Sequence, residues 1–210
     1  MNQLPIDHLV YGVPNLDEAI DQFEHLLGVR AVIGGHHPAF GTKNALINLT
    51  DGAYFELIAI DPENPKPASE IWMGLSHLTK PRLTRWAVKA TPLPDHILPL
   101  ADYNAELAEI REGSRRTTSG KLLQWQLTLP ASSPEVEVVP FLIDWSESEQ
   151  HPSQGMPEMG CSVTFIAATH PQPEVLESVL QALPVPMTVN QGAEVNLEAL
   201  VHCPNGTVKL

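Results

Sequence analysis

The sequence predicts an α+β fold assembled from repeated βαβββ units. Three observations carry this reading. The order strand, helix, three strands recurs along the 210-residue chain. Proline clusters fall between the elements, and two strand-like runs of the first unit each hold one ionisable residue among apolar ones. Proline ends helices and is kept out of central strands. The clusters at 62–67, 92–99, 130–134, 152–157, 171–173 and 184–186 therefore read as joints between compact elements. A repeat changes the fold assignment. Here it argues for paired antiparallel units, each curling its sheet around a cavity, and against a doubly wound parallel sheet.

The first unit occupies residues 1–65. A strand over 6–13 leads into Pro14-Asn15-Leu16-Asp17, a helix start, with Leu16, Ala19, Ile20, Phe23, Leu26 and Leu27 at helical spacing and Gly28 as the stop. Strands over 29–33, 45–49 and 54–60 complete it. The second unit, 80–150, has strands at 83–90, 115–117, 122–129 and 138–145 and a helix of weaker periodicity within 94–112. The third, 158–210, has a strand at 161–168, a helix at 173–183 and strands at 187–190, 195–202 and 207–210. All three are read as parts of one compact domain.

Within the first unit, His8 sits in Ile6-Asp7-His8-Leu9-Val10 and Glu56 in Tyr54-Phe55-Glu56-Leu57-Ile58. Imidazole and carboxylate are costly to bury without partners. One in each of two apolar strands points to a shared cavity and to divalent-metal or acid–base chemistry. The bland alternative is a satisfied core histidine beside an outward-facing glutamate.

Composition narrows the partners. Twelve Lys and Arg against 25 Asp and Glu give a formal charge of -13. Such a chain repels phosphate backbones and anionic lipid surfaces, so neither nucleic acid nor membrane is an expected partner. No apolar run approaches membrane-spanning length. The start lacks the pattern of a signal peptide, and Cys161 and Cys203 fit buried thiols, so a cytoplasmic location is expected. There is neither a GxSxG elbow nor a Gly-rich phosphate loop, and no nucleotide cofactor is expected.

Several stretches in order resemble the glyoxalase-like domain family of the vicinal oxygen chelate superfamily, which includes glyoxalases, bleomycin-resistance proteins and extradiol dioxygenases. They are Ile6-Asp7-His8-Leu9-Val10, Gly35-His36-His37-Pro38 with Gly41-Thr42-Lys43-Asn44, Tyr54-Phe55-Glu56-Leu57-Ile58, Leu83-Thr84-Arg85-Trp86-Ala87, Ser114-Arg115, Gly120-Lys121-Leu122-Leu123-Gln124-Trp125 and Pro140-Phe141-Leu142-Ile143-Asp144-Trp145. The resemblance implies two modules forming a partly open, barrel-like cleft, with the third unit flanking it. It also implies that His8 and Glu56 are metal ligands, His8 facing the same way as Ile6 and Val10. Module two has Arg85 at the position matching His8 and Leu142 at that matching Glu56, with Asp144 one alternation further on. Arginine has no lone pair for a metal, so a four-ligand glyoxalase site is absent and lactoylglutathione lyase activity is not expected. Relatives sometimes carry His where this chain has Lys43; His37 or His151 are the stand-ins for a third ligand.

Arg85 and Arg115 are the expected clamps for an anionic substrate group. The alternative for Arg85 is an ion pair with Asp144 or Glu56, and Asp144 is read as that partner or as a weak ligand. His37, in a loop between strands, and Trp125, as cleft wall, complete the substrate-binding set. The expected function is a metal-assisted lyase, isomerase or dioxygenase acting on a small oxygenated or carboxylate-bearing metabolite. Iron, manganese, zinc or nickel would sit at His8 and Glu56, or Glu56 would serve as general base. The alternative is a metal-free protein that sequesters a small molecule. A homodimer is expected by analogy alone.

Overall fold

The computed structural model describes residues 3–117 and 120–210. The first unit comprises β1 (Ile6–Gly12), α1 (Leu16–Leu27), β2 (Val32–His37), β3 (Thr42–Asn48) and β4 (Tyr54–Ile60). The second has β5 (Arg82–Lys89), a short α2 (Leu98–Tyr103), β6 (Ile110–Arg116), β7 (Leu122–Thr128) and β8 (Phe141–Asp144). The third has β9 (Ser162–His170), α3 (Glu174–Ala182), β10 (Thr188–Gln191), β11 (Asn196–Cys203) and β12 (Gly206–Lys209). The α+β reading holds. No helix among the described residues is long and apolar enough to cross a membrane.

α1 forms where the pattern placed it. The Asn15 side chain accepts from the backbone N–H groups of Asp17 and Glu18, and Gly28 closes the helix with φ of 78°, a conformation that costs glycine little. Leu16, Ala19, Ile20, Phe23 and Leu27 are buried, while Leu26 stays on the exposed side.

β1 to β8 make one sheet in the order β2-β3-β4-β1-β5-β8-β7-β6. Its centre is the antiparallel pair β1–β5. The expectation of purely antiparallel units is corrected: β1 pairs with β4, and β5 with β8, in parallel. The α1 crossover sets β2 down parallel to β1, and the two reversals of the β2–β3–β4 meander leave β4 parallel again. The sheet curls into a nearly closed barrel. Its edge strands meet where Arg115 Nη1 on β6 donates to the Gly34 carbonyl on β2, 2.8 Å away. The third unit forms its own sheet, in the order β10-β9-β11-β12.

Each face of the large sheet buries a separate core. The outer face, with Leu9, Phe55, Trp86 and Val88, packs against α1 and against Ala199 and Val201 of the second sheet. The inner face, with Val10, Ile58, Ala87 and Ile143, closes over Ile71, Trp72, Met73 and Leu75 from the β4–β5 connection. That connection plugs the barrel with apolar side chains where a long loop would otherwise lie on the surface.

Arg85 belongs to this framework. It is 2% exposed. Its guanidinium donates to the carbonyls of Thr84 (2.7 Å), Glu135 (3.1 Å), Ala131 (3.0 Å) and Pro134 (2.7 Å). Burial pulls its pKa down to about 10, against the opposing charge of Glu137. Neither Asp144 nor Glu56 is its partner; it ties the β7–β8 connection to β5. Replacing Arg85 by Met should therefore cost about 3–5 kcal/mol of stability, because several buried carbonyls lose their donors. Urea unfolding at neutral pH checks the value.

Candidate functional site

The site is built on β1 and β4 at the inner face. In β1, Ile6 pairs with Val88 of β5 and His8 with Ala87, so Asp7 is an extra residue, a β-bulge. The bulge breaks the alternation expected across Ile6 and His8. Ile6 packs with the outer core, and Asp7 and His8 turn their side chains toward each other. His8 Nδ1 lies 2.5 Å from Asp7 Oδ1. Asp7 Oδ2 accepts from Trp145 Nε1 at 3.1 Å and from His151 Nε2 at 2.9 Å. His151 Nδ1 accepts from the Ser153 N–H, which leaves Nε2 as the protonated nitrogen.

Asp7 is wholly buried. Burial pushes its carboxyl up, but the hydrogen bonds from His151 and His8 outweigh that and hold it at about 2. An ionised Asp7 fixes the His8 tautomer. Nδ1–H donates to Asp7, and the Nε2 lone pair faces the pocket. Glu56 stands diagonally across the parallel β1–β4 pair, with Oε2 3.6 Å from His8 Nε2. Two acceptors thus confront each other inside the protein, an arrangement that calls for a cation between them, a proton or a metal ion.

β3 supplies the residue that orients the carboxylate. Lys43 lies on the far side of the strand alternation. Asn44 faces inward, and its Nδ2 donates to Glu56 Oε1 at 2.5 Å. Tyr54 pairs with His8 in register and stacks on its ring, the centroids 4.5 Å apart. Burial, then the charges of Asp7 and Glu56, raise the Tyr54 hydroxyl well above its usual pKa, so it keeps its proton.

Around this centre lies a small, partly open pocket. Trp72, Trp125, Trp145 and Phe141 wall it, and Arg115 and His37 reach it from β6 and β2. Phe40 stacks on Trp72, with centroids 3.9 Å apart, and Trp72 Nε1 donates to Thr42 Oγ1. Burial lowers the Arg115 pKa, opposed by Tyr54 and Glu56. Burial and then neighbouring positive charge, that of Arg115 foremost, bring His37 down to about 3, so its half-buried ring is uncharged. His37 belongs to β2 and not to a loop; Gly34 and Gly35 interrupt the apolar pattern that would have revealed the strand.

Of the residues named from the sequence, His8, Glu56, His37, Arg115 and Trp125 line this pocket. Arg85 does not, for the reason given above. Asp144 does not either; its Oδ1 accepts from Thr91 Oγ1 and from the Ser146 N–H, capping the end of β8. His151 holds Asp7 and is no stand-in ligand. Sequence reasoning missed Asp7, Asn44 and Trp72. Asp7 had a signal: two adjacent polar residues in a short apolar strand cannot both be hidden by alternation.

The fold and the residues along it agree with known proteins. A family model described as "Glyoxalase-like domain" matches residues 6–183. The chain belongs to the glyoxalase-like domain family. This places it in the vicinal oxygen chelate superfamily. A hypothetical protein from Staphylococcus aureus shares this fold, with 15% identity and a TM-score of 0.70 over 92% of this chain and 88% of that one. Methylmalonyl-CoA epimerase from Mycobacterium tuberculosis is 18% identical over 69% of this chain and 89% of its own, with a TM-score of 0.43. A methylmalonyl-CoA epimerase in complex with methylmalonyl-CoA and NH4+ is 16% identical over 71% and 99%, with a TM-score of 0.45. No curated protein matches the sequence.

As a metal centre the site offers two donors, His8 Nε2 and Glu56 Oε2. Among the described residues no three His, Cys, Asp or Glu side chains converge where one ion could be held. The donor chemistry fits a divalent ion that completes its shell with water and substrate oxygens, not a closed structural site.

Asp7 generates a pH prediction. A carboxylate depressed in the folded state stabilises the protein above its unfolded pKa, and that contribution is lost as pH falls through the folded value. Stability should drop by on the order of 2 kcal/mol between about pH 4 and pH 2 from this group. Asp7→Asn should weaken the protein at pH 7 and flatten that acid limb, read by urea unfolding across pH 2–7.

Proposed function

We propose that the protein is an enzyme acting on a small carboxylate- or carbonyl-bearing metabolite, with proton transfer at a carbon next to the carbonyl as its central step. One observation supports this above the others: the buried, tautomer-fixed His8 aimed at the Glu56 carboxylate in a pocket that also presents Arg115. A cavity meant only to sequester an apolar molecule has no need of two facing acceptors, each of which costs free energy to bury.

In this reading Arg115 holds the anionic group of the substrate. Glu56, oriented by Asn44, takes the proton, and His8, braced by Asp7, keeps that carboxylate in place and shares the proton it receives. The aromatic walls exclude water from the developing negative charge. His8 and Glu56 would also hold a divalent ion; when bound, such an ion polarises the carbonyl oxygen of the substrate.

The competing reading, a metal-free binding protein, draws support from the two-donor set. It predicts ligand binding without turnover. The experiment is hydrogen–deuterium exchange at the α-carbon of small 2-oxo and 2-methyl carboxylic acids in D2O, followed by proton NMR. Wild-type protein should catalyse exchange, and Glu56→Gln should reduce it by about 10²–10⁴-fold with its thermal unfolding little changed. Binding without exchange would favour the sequestering reading.

Metal assistance is tested on the same signal. Exhaustive chelation should slow exchange, and added Mn2+, Fe2+, Zn2+ or Ni2+ should restore it in the wild type but not in His8→Ala. Exchange that survives chelation at full rate would assign the step to the side chains alone.

A further inference from the structure

The catalytic pocket does not end at Arg115. A second groove begins at the same three residues, Leu46, Arg115 and Pro152. It runs outward between the β2 edge of the barrel and the β6–β7 hairpin. One wall is apolar, with Val32 and Ile33 of β2 left 37% and 51% exposed. The other carries Leu123 and, at the outer end, the exposed ammonium of Lys121, whose Nζ donates to the neutral Gln150 side chain at 2.7 Å. Arg115 thus stands between two compartments. Its Nη1 is engaged by Gly34, and the rest of the guanidinium faces space shared by both.

Charge makes this groove distinct. The chain carries a formal charge of -13, yet the described side chains that line the groove include Arg115 and Lys121 and no carboxylate. A site of this make-up, with a cation at each end and apolar side chains between, is complementary to an elongated molecule with an acidic group at each end. Arg115 pairs with Leu123 across the hairpin. Lys121 lies two residues beyond Leu123, so the two cations are rooted about 7 Å apart along the strand, roughly the span of a six-carbon chain.

We infer that the groove is the tail subsite of the same active site, and that its substrate is an elongated dianion, one acid group on Arg115 and the second on Lys121. This rests on the reading of the pocket given under Proposed function, since it takes Arg115 as the clamp of the reacting end. The apolar edge of β2 would cover the connecting methylenes. A compact monoanion would leave the outer half of the site unused.

The test is calorimetric binding of two matched series to the full-length protein. One is adipate, pimelate and suberate; the other is hexanoate, heptanoate and octanoate. The dicarboxylates should bind about tenfold more tightly than monocarboxylates of equal length, and raised salt should shrink the difference. Lys121→Ala should abolish that difference, and Lys121→Arg should retain it. Ile33→Asp, at an exposed position, should weaken both series. Arg115→Gln should weaken every probe.

Equal affinity of the two series, an unchanged dicarboxylate preference in Lys121→Ala, or no binding of any probe would each overturn the tail subsite. The underlying reading fails differently. If the preference depends on Lys121 while Arg115→Gln leaves affinity unaltered, the groove binds anions but Arg115 is not the clamp of the reacting end.

Discussion

The buried carboxylate of Asp7 is the point on which the site depends. A lone anion in an apolar interior is expensive enough that such groups ordinarily neutralise. Asp7 avoids this by accepting from His8, Trp145 and His151. Those donors come from its own strand, from the residue just past β8, and from the segment leading toward the third unit. One ionised side chain therefore joins the centre of the barrel to the chain that crosses its mouth, and at the same time decides which nitrogen of His8 is free. The bulge at Asp7 is what permits this. In a regular strand, neighbouring residues point to opposite faces, and Asp7 would have been buried in the outer core with no donors.

Two arginines show how environment separates framework from site. Arg85 and Arg115 are both largely buried cations on strands of the second unit. Arg85 has carbonyl acceptors on its terminal nitrogens, so its charge is neutralised by backbone dipoles and its role is to hold a connection. Arg115 has one carbonyl, that of Gly34, and faces Glu56 and Tyr54 for the remainder of its electrostatic environment. It joins the two edges of the curled sheet and still has donors for a ligand. The same side chain closes the barrel and marks its opening.

The sequence carried the periodic part of this architecture. The strand of Tyr54, Phe55 and Glu56, the helix from Leu16 to Leu27, and the family resemblance all followed from patterns that extend over many residues. What it hid was set by irregularity or by tertiary pairing. Gly34 and Gly35 disguised β2, whose close approach to Asn44 would be blocked by a side chain, since a Cβ on Gly34 would lie 2.1 Å from Asn44 Oδ1. The parallel β1–β4 pairing and the bulge at Asp7 are register properties that no single strand displays. Arg85 looked like a cavity residue because three of its four carbonyl acceptors lie in residues 131–135, some fifty positions away, a contact that composition cannot register.

Charge balance within the pocket links these features. Asp7 and Glu56 bring negative charge to the inner face, Arg115 offsets part of it, and His37 contributes none because burial, with its positive neighbours, keeps it neutral. An anionic substrate on Arg115 would tip the balance further negative. That makes a cation in the gap between His8 Nε2 and Glu56 Oε2 more favourable, because opposite charges strengthen each other's binding in a medium of low dielectric. Under the proposed function, substrate and cation therefore bind with mutual reinforcement, and by linkage each raises the affinity of the other by the same factor. On that proposal the two-donor set has a physical sense: with only His8 and Glu56 as protein ligands, a cation would be held firmly only when the substrate is there to finish its shell.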